Sequence, residues 1–465
     1  MAKLEPVLAW IEKEFDASLA RYIEFLRIPS ISTAGAYAGE VGRAGAWLEK
    51  ELRAIGFTAQ LHETSRHPIL LAHHEGAHPD APRLLYYGHY DVQPPEPLEL
   101  WDSPPFEPAI ADGPHGKRVV ARGAADDKGQ VMTFIEAFRA WKAVHGALPV
   151  HASVLLEGEE ESGSESLPGF LEAHAPSLRR AAAAIVTDTN AWDADMAAIT
   201  YRLRGNVYVE VTLSGPSRDL HSGLYGGAAV NPINALTEIL GELHGRGGRV
   251  QIPGFYDDVA PLSPEERQAW RALPFDEAGF LGEVGLTHCS GEEGYTLLER
   301  LWARPTCDLN GIWGGYTGPG SKTVIASRAS AKMSFRTVPD QDPAKILRGL
   351  KAFLDARTPP DCGWSIQQFG ASGGILVPES GPFMQAARAG LQDIYGKPPA
   401  MVGCGGSIPV VGYLREKLGL DSILVGFGLA DDRIHSPNEK FELKCFRNGI
   451  LSQAAIMARM GAIQA

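Results

Sequence analysis

Five short stretches hold residue types suited to metal and proton chemistry. They are "GHYDVQP" with His89 and Asp91, "RGAADDKG" with Asp126 and Asp127, "EGEEESGS" from Glu157 to Ser164, "VTDT" with Asp188, and "RIHSPNE" with His435. The third sets four carboxylates within five positions directly after the apolar run "ASVLL". Charges that close must be offset, by water and salt on a surface or by cations in a site. Taken singly, each stretch has a plainer reading. His89 could be a satisfied core histidine, Asp126 and Asp127 a capping pair before "KGQVMTFIEAF", Asp188 a strand-end turn former and the glutamates a solvated loop, while His435 alone is unremarkable. Asp91, two residues beyond His89, shifts the balance. A carboxylate on the second ring nitrogen is what fixes the tautomer and orientation of a metal-bound histidine.

Together the stretches offer two histidines and several carboxylates, a donor set for Zn2+ or Mn2+ that lacks the thiolates of a structural zinc site. A pair of ions about 3.5–4 Å apart needs a bridging carboxylate and clamps a water. One glutamate of the knot can then ligate while its neighbour stays free to take the proton from water as general base. All five stretches lie at or just beyond the ends of expected strands, the rim of an open α/β sheet where ligands bind.

The elements that must position them follow from hydrophobic periodicity. "LEPVLAWIEKEFDASLARYIEFLR" spaces Leu4, Leu8, Ile11, Phe15, Leu19, Tyr22 and Leu26 along one helical stripe. "RLLYYGHYDV" and "AAAAIVTDT" read as buried strands, and "GQVMTFIEAFRAWKAV" as the helix after Asp127. The expected fold class is α/β, with a mostly parallel sheet flanked by helices. Residues 1–200 and 381–465 are expected to form this discontinuous catalytic domain.

From Tyr201 the texture changes. "NVYVEVTLSG" alternates with period two, a helix follows in "NPINALTEILGELHG", and a strand region "TVIASRASAKMSFRTV", a helix "DPAKILRGLKAFLDA" and a strand "WSIQQF" come later. Splitting the strand region at Ser327 to Ser330 gives the order β-α-β-β-α-β, an inserted α+β domain over 201–380. The stretch from Gly245 to Lys322 is too long for a plain loop and is expected to hold helices, one of them opened by the capping box of Ser263 and Glu266.

These motifs resemble, in order and spacing and over nearly the whole chain, the dinuclear zinc peptidases and deacylases. That family includes carnosine dipeptidases, glutamate carboxypeptidase, acetylornithine deacetylase and succinyl-diaminopimelate desuccinylase. The resemblance implies that His89 and Asp188 hold one metal, that Glu161 and His435 hold the other, and that Asp126 bridges both. Asp91 would orient His89, and Glu160 would be the catalytic base. It leaves Asp127 without a metal role, so capping stands for that residue. The inserted domain is similar to that family's lid and dimerisation domain. In "SGPSRDLHSGLYGG" the match makes His221 the histidine that reaches a partner subunit's site and stabilises the oxyanion. It assigns Thr323 and Arg336 to the substrate carboxylate and Ser407 in "GCGGSIPV" to substrate. "DLHSGLYGG" and the long segment before "GPGSKTV" look most like the dipeptidase branch.

The expected function is metal-dependent cleavage of the amide bond in dipeptides with a free C-terminal carboxylate. The cofactor would be two divalent ions per subunit, Zn2+ first, with Mn2+ or Co2+ also suited to these ligands. An N-acyl amino acid deacylase is the alternative, and a catalytically silent metal-binding scaffold the remoter one. A net charge of −13 argues against nucleic-acid partners, and no apolar run of 18 residues suggests a membrane span. Five dispersed cysteines without a CxxC pair argue for reduced thiols, and the N-terminus lacks the unbroken apolar stretch of a signal peptide. A cytoplasmic homodimer joined through the inserted domain is expected. "GASGG" around Ser372 matches a serine-hydrolase elbow, but the prolines that follow argue against the helix such an elbow needs.

Overall fold

The computed structural model describes residues 3–463. The chain divides into two compact units, one formed by Met1–Tyr201, Val377–Met401 and Tyr413–Ala465, the other by Arg202–Leu376 and Val402–Gly412. The sequence reading assigned all of 381–465 to the first unit, yet residues 402–412 group with the second. Local bonding gives the reason: the backbone N–H of Arg204 donates to the Cys404 carbonyl at 3.3 Å, and its Nε donates to the Gly405 carbonyl at 2.9 Å.

The first unit is built on a mixed sheet. Its strands run in the order Thr58–His62, Ile69–His74, His151–Glu157, Arg83–His89, Ala183–Val186, Ser422–Leu424 and Ala198–Leu203. The three central pairings are parallel and the outer ones antiparallel. Strands such as "RLLYYGH" and "AAIV" are buried along their whole length, as befits a sheet covered on both faces. Register does the positioning. His89 lies opposite Glu157 and Tyr87 opposite Val186, so His89, the glutamate knot and Asp188 all emerge at the carboxyl rim.

A three-stranded sheet of Ala109–Gly113, Gly116–Val120 and Lys440–Glu442 brings the remaining two motifs together. Lys440 pairs with Val120, which sets the His435 loop beside the segment leading to Asp126 and the helix Lys128–His145. The N-terminal stripe is not one helix: Glu14 interrupts it, giving Glu5–Lys13 and Phe15–Leu26. The buried stripe runs through Val7, Ile11, Ser18, Tyr22 and Phe25, which leaves Leu8 and Leu19 of the expected stripe half-buried.

The second unit is a four-stranded antiparallel sheet in the order Thr306–Gly314, Arg328–Thr337, Gly205–Ser214, Gly363–Ser372. Val207, Val209, Val211 and Leu213 face a core packed by the helices Pro232–Gly241 and Pro343–Asp355. Each such side chain contributes about 1.5–3 kcal/mol on burial. The β-α-β-β-α-β order is present, but its second strand is Thr306–Gly314, which the sequence reading left inside an irregular segment. Only Arg328–Thr337 of "TVIASRASAKMSFRTV" joins this sheet, while Val324–Ile325 pairs with Leu220–His221. The long segment carries the helices Pro264–Arg271, Glu277–Gly282 and Leu297–Ala303, the first with its capping box formed. Ser372 ends a strand, no helix follows, and its Oγ accepts the Asn206 N–H at 3.3 Å.

Candidate metal centre

Two groups of ligand-type atoms form at the rim of the first unit's sheet. His89, Asp126 and Asp188 make one, and Asp126, Glu161 and His435 the other; within each, one donor atom per residue lies within 4.8 Å of the rest. Asp126 is common to both. Its Oδ1 lies 3.1 Å from His89 Nε2 and its Oδ2 lies 2.9 Å from His435 Nε2. His435 reaches Glu161 Oε1 at 3.3 Å from a left-handed backbone, φ 62°, a conformation that costs a residue with a Cβ about 1–2 kcal/mol. Strain of that kind persists where the surroundings impose it, and it clusters at functional positions.

Charge balance shows what the cluster fits. Asp126, Asp188, Glu160 and Glu161 crowd against two imidazoles, and burial reinforced by Asp126, Glu160 and Glu161 pushes Asp188 well above the usual carboxylate range. For Asp126, burial works in the same upward direction, but the His435 and His89 hydrogen bonds outweigh it and hold the group low. His435 is raised to about 10 by its bonds to Asp126 and Glu161. Histidine nitrogen and carboxylate oxygen around a surplus of negative charge suit hard or borderline divalent cations.

Glu160 stands beside this cluster and in neither ligand group. Burial, with the charges of Glu161, Asp91 and Asp126, lifts it to about 7 against the pull of His89. That is the range a general base needs at neutral pH. Asp91 is fully buried. His89 Nδ1 lies 3.1 Å from the Asp91 carbonyl and 3.4 Å from its Oδ1, while the Asp91 carboxylate accepts the backbone N–H groups of Glu160 and Glu161.

Several positioning groups escaped the sequence reading. Asp127 precedes the helix Lys128–His145, but its side chain makes no capping bond. It is buried and accepts the backbone N–H of His89 at 3.2 Å, a correction to the capping assignment. Gly88 makes room for it, because a Cβ there would come 2.7 Å from Asp127 Oδ2. Gln93 Nε2 donates to Glu161 Oε2 at 2.7 Å. Glu439, quoted within "RIHSPNE" without a role, accepts the N–H groups of Gly123, Ala125 and Asp126 and pairs with Arg122 at 2.8 Å. Glu159 is structural, accepting from His67, Thr64 and Ser166, and the buried Glu157 accepts the Tyr87 phenol.

The model for peptidase family M20/M25/M40 matches residues 85–459. The chain belongs to peptidase family M20/M25/M40. The M20/M25/M40 chain is 30% identical to a Cys-Gly metallodipeptidase of Candida albicans over 96% of its own length and 95% of the relative's. It is 30% identical to human Beta-Ala-His dipeptidase over 84% of its own length and 77% of that protein's. Among solved structures, a metallo-carboxypeptidase of Sulfolobus solfataricus superposes with a TM-score of 0.83 at 31% identity, covering 96% of this chain and 99% of that one. The dipeptidase Dug1p of Saccharomyces cerevisiae gives 0.81 at 27% identity over 100% and 99%. As an M20/M25/M40 peptidase the protein is a metal-dependent hydrolase of amide bonds.

The four other residues expected at the substrate lie in the second unit. His221 is exposed and its Nδ1 accepts the Gly223 N–H at 2.9 Å; Thr323 is exposed and its carbonyl accepts the Ser222 N–H. Arg336 is half-buried on the strand Arg328–Thr337, opposite Asn206. Ser407 lies between the strand Ala400–Cys404 and the helix Pro409–Tyr413. Among the described residues no helix is long and apolar enough to cross a membrane.

Proposed function

We propose that this metallopeptidase cleaves dipeptides bearing a free C-terminal carboxylate, with two divalent ions, Zn2+ first among them, in the centre around Asp126. The observation that carries the reading is the sharing of Asp126 between two ligand groups, with Glu160 beside them and outside both. His89 and Asp188 are assigned to one ion, Glu161 and His435 to the other. When bound, the ions would polarise the scissile carbonyl and acidify water. Glu160, lifted to about 7, takes the proton from the attacking water and returns it to the leaving amine. Asp91 holds His89 and the backbone of Glu160 and Glu161 in place for this.

Arg336 and Thr323 are assigned to the substrate carboxylate, for which a guanidinium fork is well shaped. Ser407 is assigned to the substrate, and His221 to oxyanion stabilisation in the site of a second copy, which makes the working form a homodimer. Support for dipeptides comes from the relatives, whose names specify Cys-Gly and Beta-Ala-His substrates. A cytoplasmic setting agrees with five free cysteines.

The test is a panel of dipeptides and their N-acetylated forms on metal-reconstituted protein, with a chelator-treated control. Turnover of free dipeptides that disappears on chelation is the expected result. Hydrolysis of acetylated substrates alone, or activity that survives thorough metal removal, would defeat the proposal.

A further inference from the structure

The second unit carries two arginines with unused donors, one on its sheet facing away from the core and one at the residue just before a strand of that sheet. Odd-numbered residues from Val207 to Leu213 face that core, so Asn206 and its cross-strand partner Arg336 point the other way. Arg204 lies two residues before Asn206, just ahead of the strand Gly205–Ser214, and near enough to Arg336 for the two charges to act on one another. Arg204 is only 9% exposed. Its Nε bond to the Gly405 carbonyl lays it along the loop that carries Ser407. It thus connects the two substrate assignments, Arg336 and Ser407.

No carboxylate meets these guanidinium groups. Among the described residues, Arg336 makes no side-chain hydrogen bond or ion pair, and neither do the two terminal nitrogens of Arg204. The nearby acid, Asp308, is exposed and accepts from the Thr306 hydroxyl at 3.1 Å. Asn206 Oδ1 on the same face is buried and has no partner. Burial, then the charge of Arg336, pulls Arg204 down to about 10. Two neighbouring cations without a counter-charge attract an anion, and one bidentate carboxylate satisfies only one arginine fork.

Resting on the dipeptidase reading, we infer that Arg204 and Arg336 together select dipeptides with an acidic C-terminal residue. Arg336 takes the α-carboxylate and Arg204 the side-chain carboxylate. Arg204 is then a specificity-determining residue, and the substrate class is Xaa-Asp and Xaa-Glu.

The test compares kcat/KM for Ala-Asp with that for its neutral isostere Ala-Asn on metal-reconstituted protein. A preference for Ala-Asp of at least about tenfold is expected in the natural protein. In Arg204→Met that ratio should collapse toward one, through a raised KM for Ala-Asp, while Arg204→Lys keeps part of it. A natural ratio below about threefold, or an equal fall of both substrates in a folded Arg204→Met, overturns the inference. Should Arg204→Met fail to fold by circular dichroism, the natural ratio alone decides. If neither dipeptide is hydrolysed, the dipeptidase reading fails separately. Calorimetric binding of L-aspartate against L-asparagine then decides this inference: tighter L-aspartate binding that depends on Arg204 upholds it, and equal binding overturns it.

Discussion

The two carboxylate oxygens of Asp91 receive the backbone of the glutamate knot, Oδ1 from the Glu160 N–H at 3.2 Å and Oδ2 from the Glu161 N–H at 3.0 Å. The same residue meets His89 Nδ1 through its carbonyl and Oδ1. One buried residue therefore ties a histidine on one strand to the backbone of Glu160 and Glu161 beyond another. Asp91→Ala should lower kcat by about 10–100-fold with the fold retained by circular dichroism, and Asp91→Asn, which keeps an acceptor oxygen, by less. A kcat unchanged in Asp91→Ala would remove this positioning role.

Because Asp126 belongs to both ligand groups, metal content should split by residue. Asp126→Asn is expected to lose both ions, whereas Glu161→Gln or His435→Ala loses one and His89→Ala the other. Elemental analysis of the purified variants reads this directly. Glu160→Gln is the control. It should keep both ions while turnover falls by roughly 10²–10⁴. Equal metal loss in all five variants would contradict the assignment.

What the sequence made legible was decided by locality. Five motifs at strand ends could be recognised because the chemistry of His89, Asp126, Glu161, Asp188 and His435 lies in side-chain type, and the rim of an α/β sheet supplies the convergence. Glu439 and Asp127 were hidden because their work is done on backbone N–H groups, and nothing in a side chain's identity says which amide it will meet. Thr306–Gly314 was hidden for a different reason. As an edge strand exposed on both faces over much of its length, "TCDLNGIWG" has no period-two signal to read. The grouping of residues 402–412 with the second unit depends on bonds between Arg204 and the Cys404–Gly405 loop, some two hundred residues away in sequence.

Glu157 makes stability of the chelated protein depend on pH. Burial, with Asp91 and Glu160 adding, raises it from 4.5 to about 8 in spite of the Tyr87 hydrogen bond. The folded state thus favours the protonated acid. Its stabilising contribution is complete below about pH 4.5 and is lost as pH rises toward about 8, with a total effect on the order of a few kcal/mol. Glu160 and Glu439, each raised to about 7, act in the same direction. Calorimetry of the chelated protein should show Tm falling across this window, and Glu157→Gln should flatten the fall. A Tm that rises through the same window would refute the account.

Glu439 links stability to the metal centre. Its carboxylate is fully buried, pairs with a buried Arg122 at 2.8 Å, and gathers three backbone donors, at Gly123, Ala125 and Asp126. Removing one partner of a buried ion pair leaves an uncompensated charge, which costs about 3–5 kcal/mol. Glu439→Ala adds three amides without acceptors, and the last of them belongs to the residue shared by both ligand groups. Glu439→Gln keeps an acceptor oxygen but leaves Arg122 uncompensated. Both variants are therefore expected to lower Tm in chelated protein, Glu439→Ala more. Metal should restore less Tm to either variant than to the natural chain, because Asp126 is no longer held in register. The two readouts separate the roles: a lower Tm with undiminished metal-induced stabilisation would make Glu439 a structural residue alone, whereas a loss in both ties the Asp126 backbone to metal affinity.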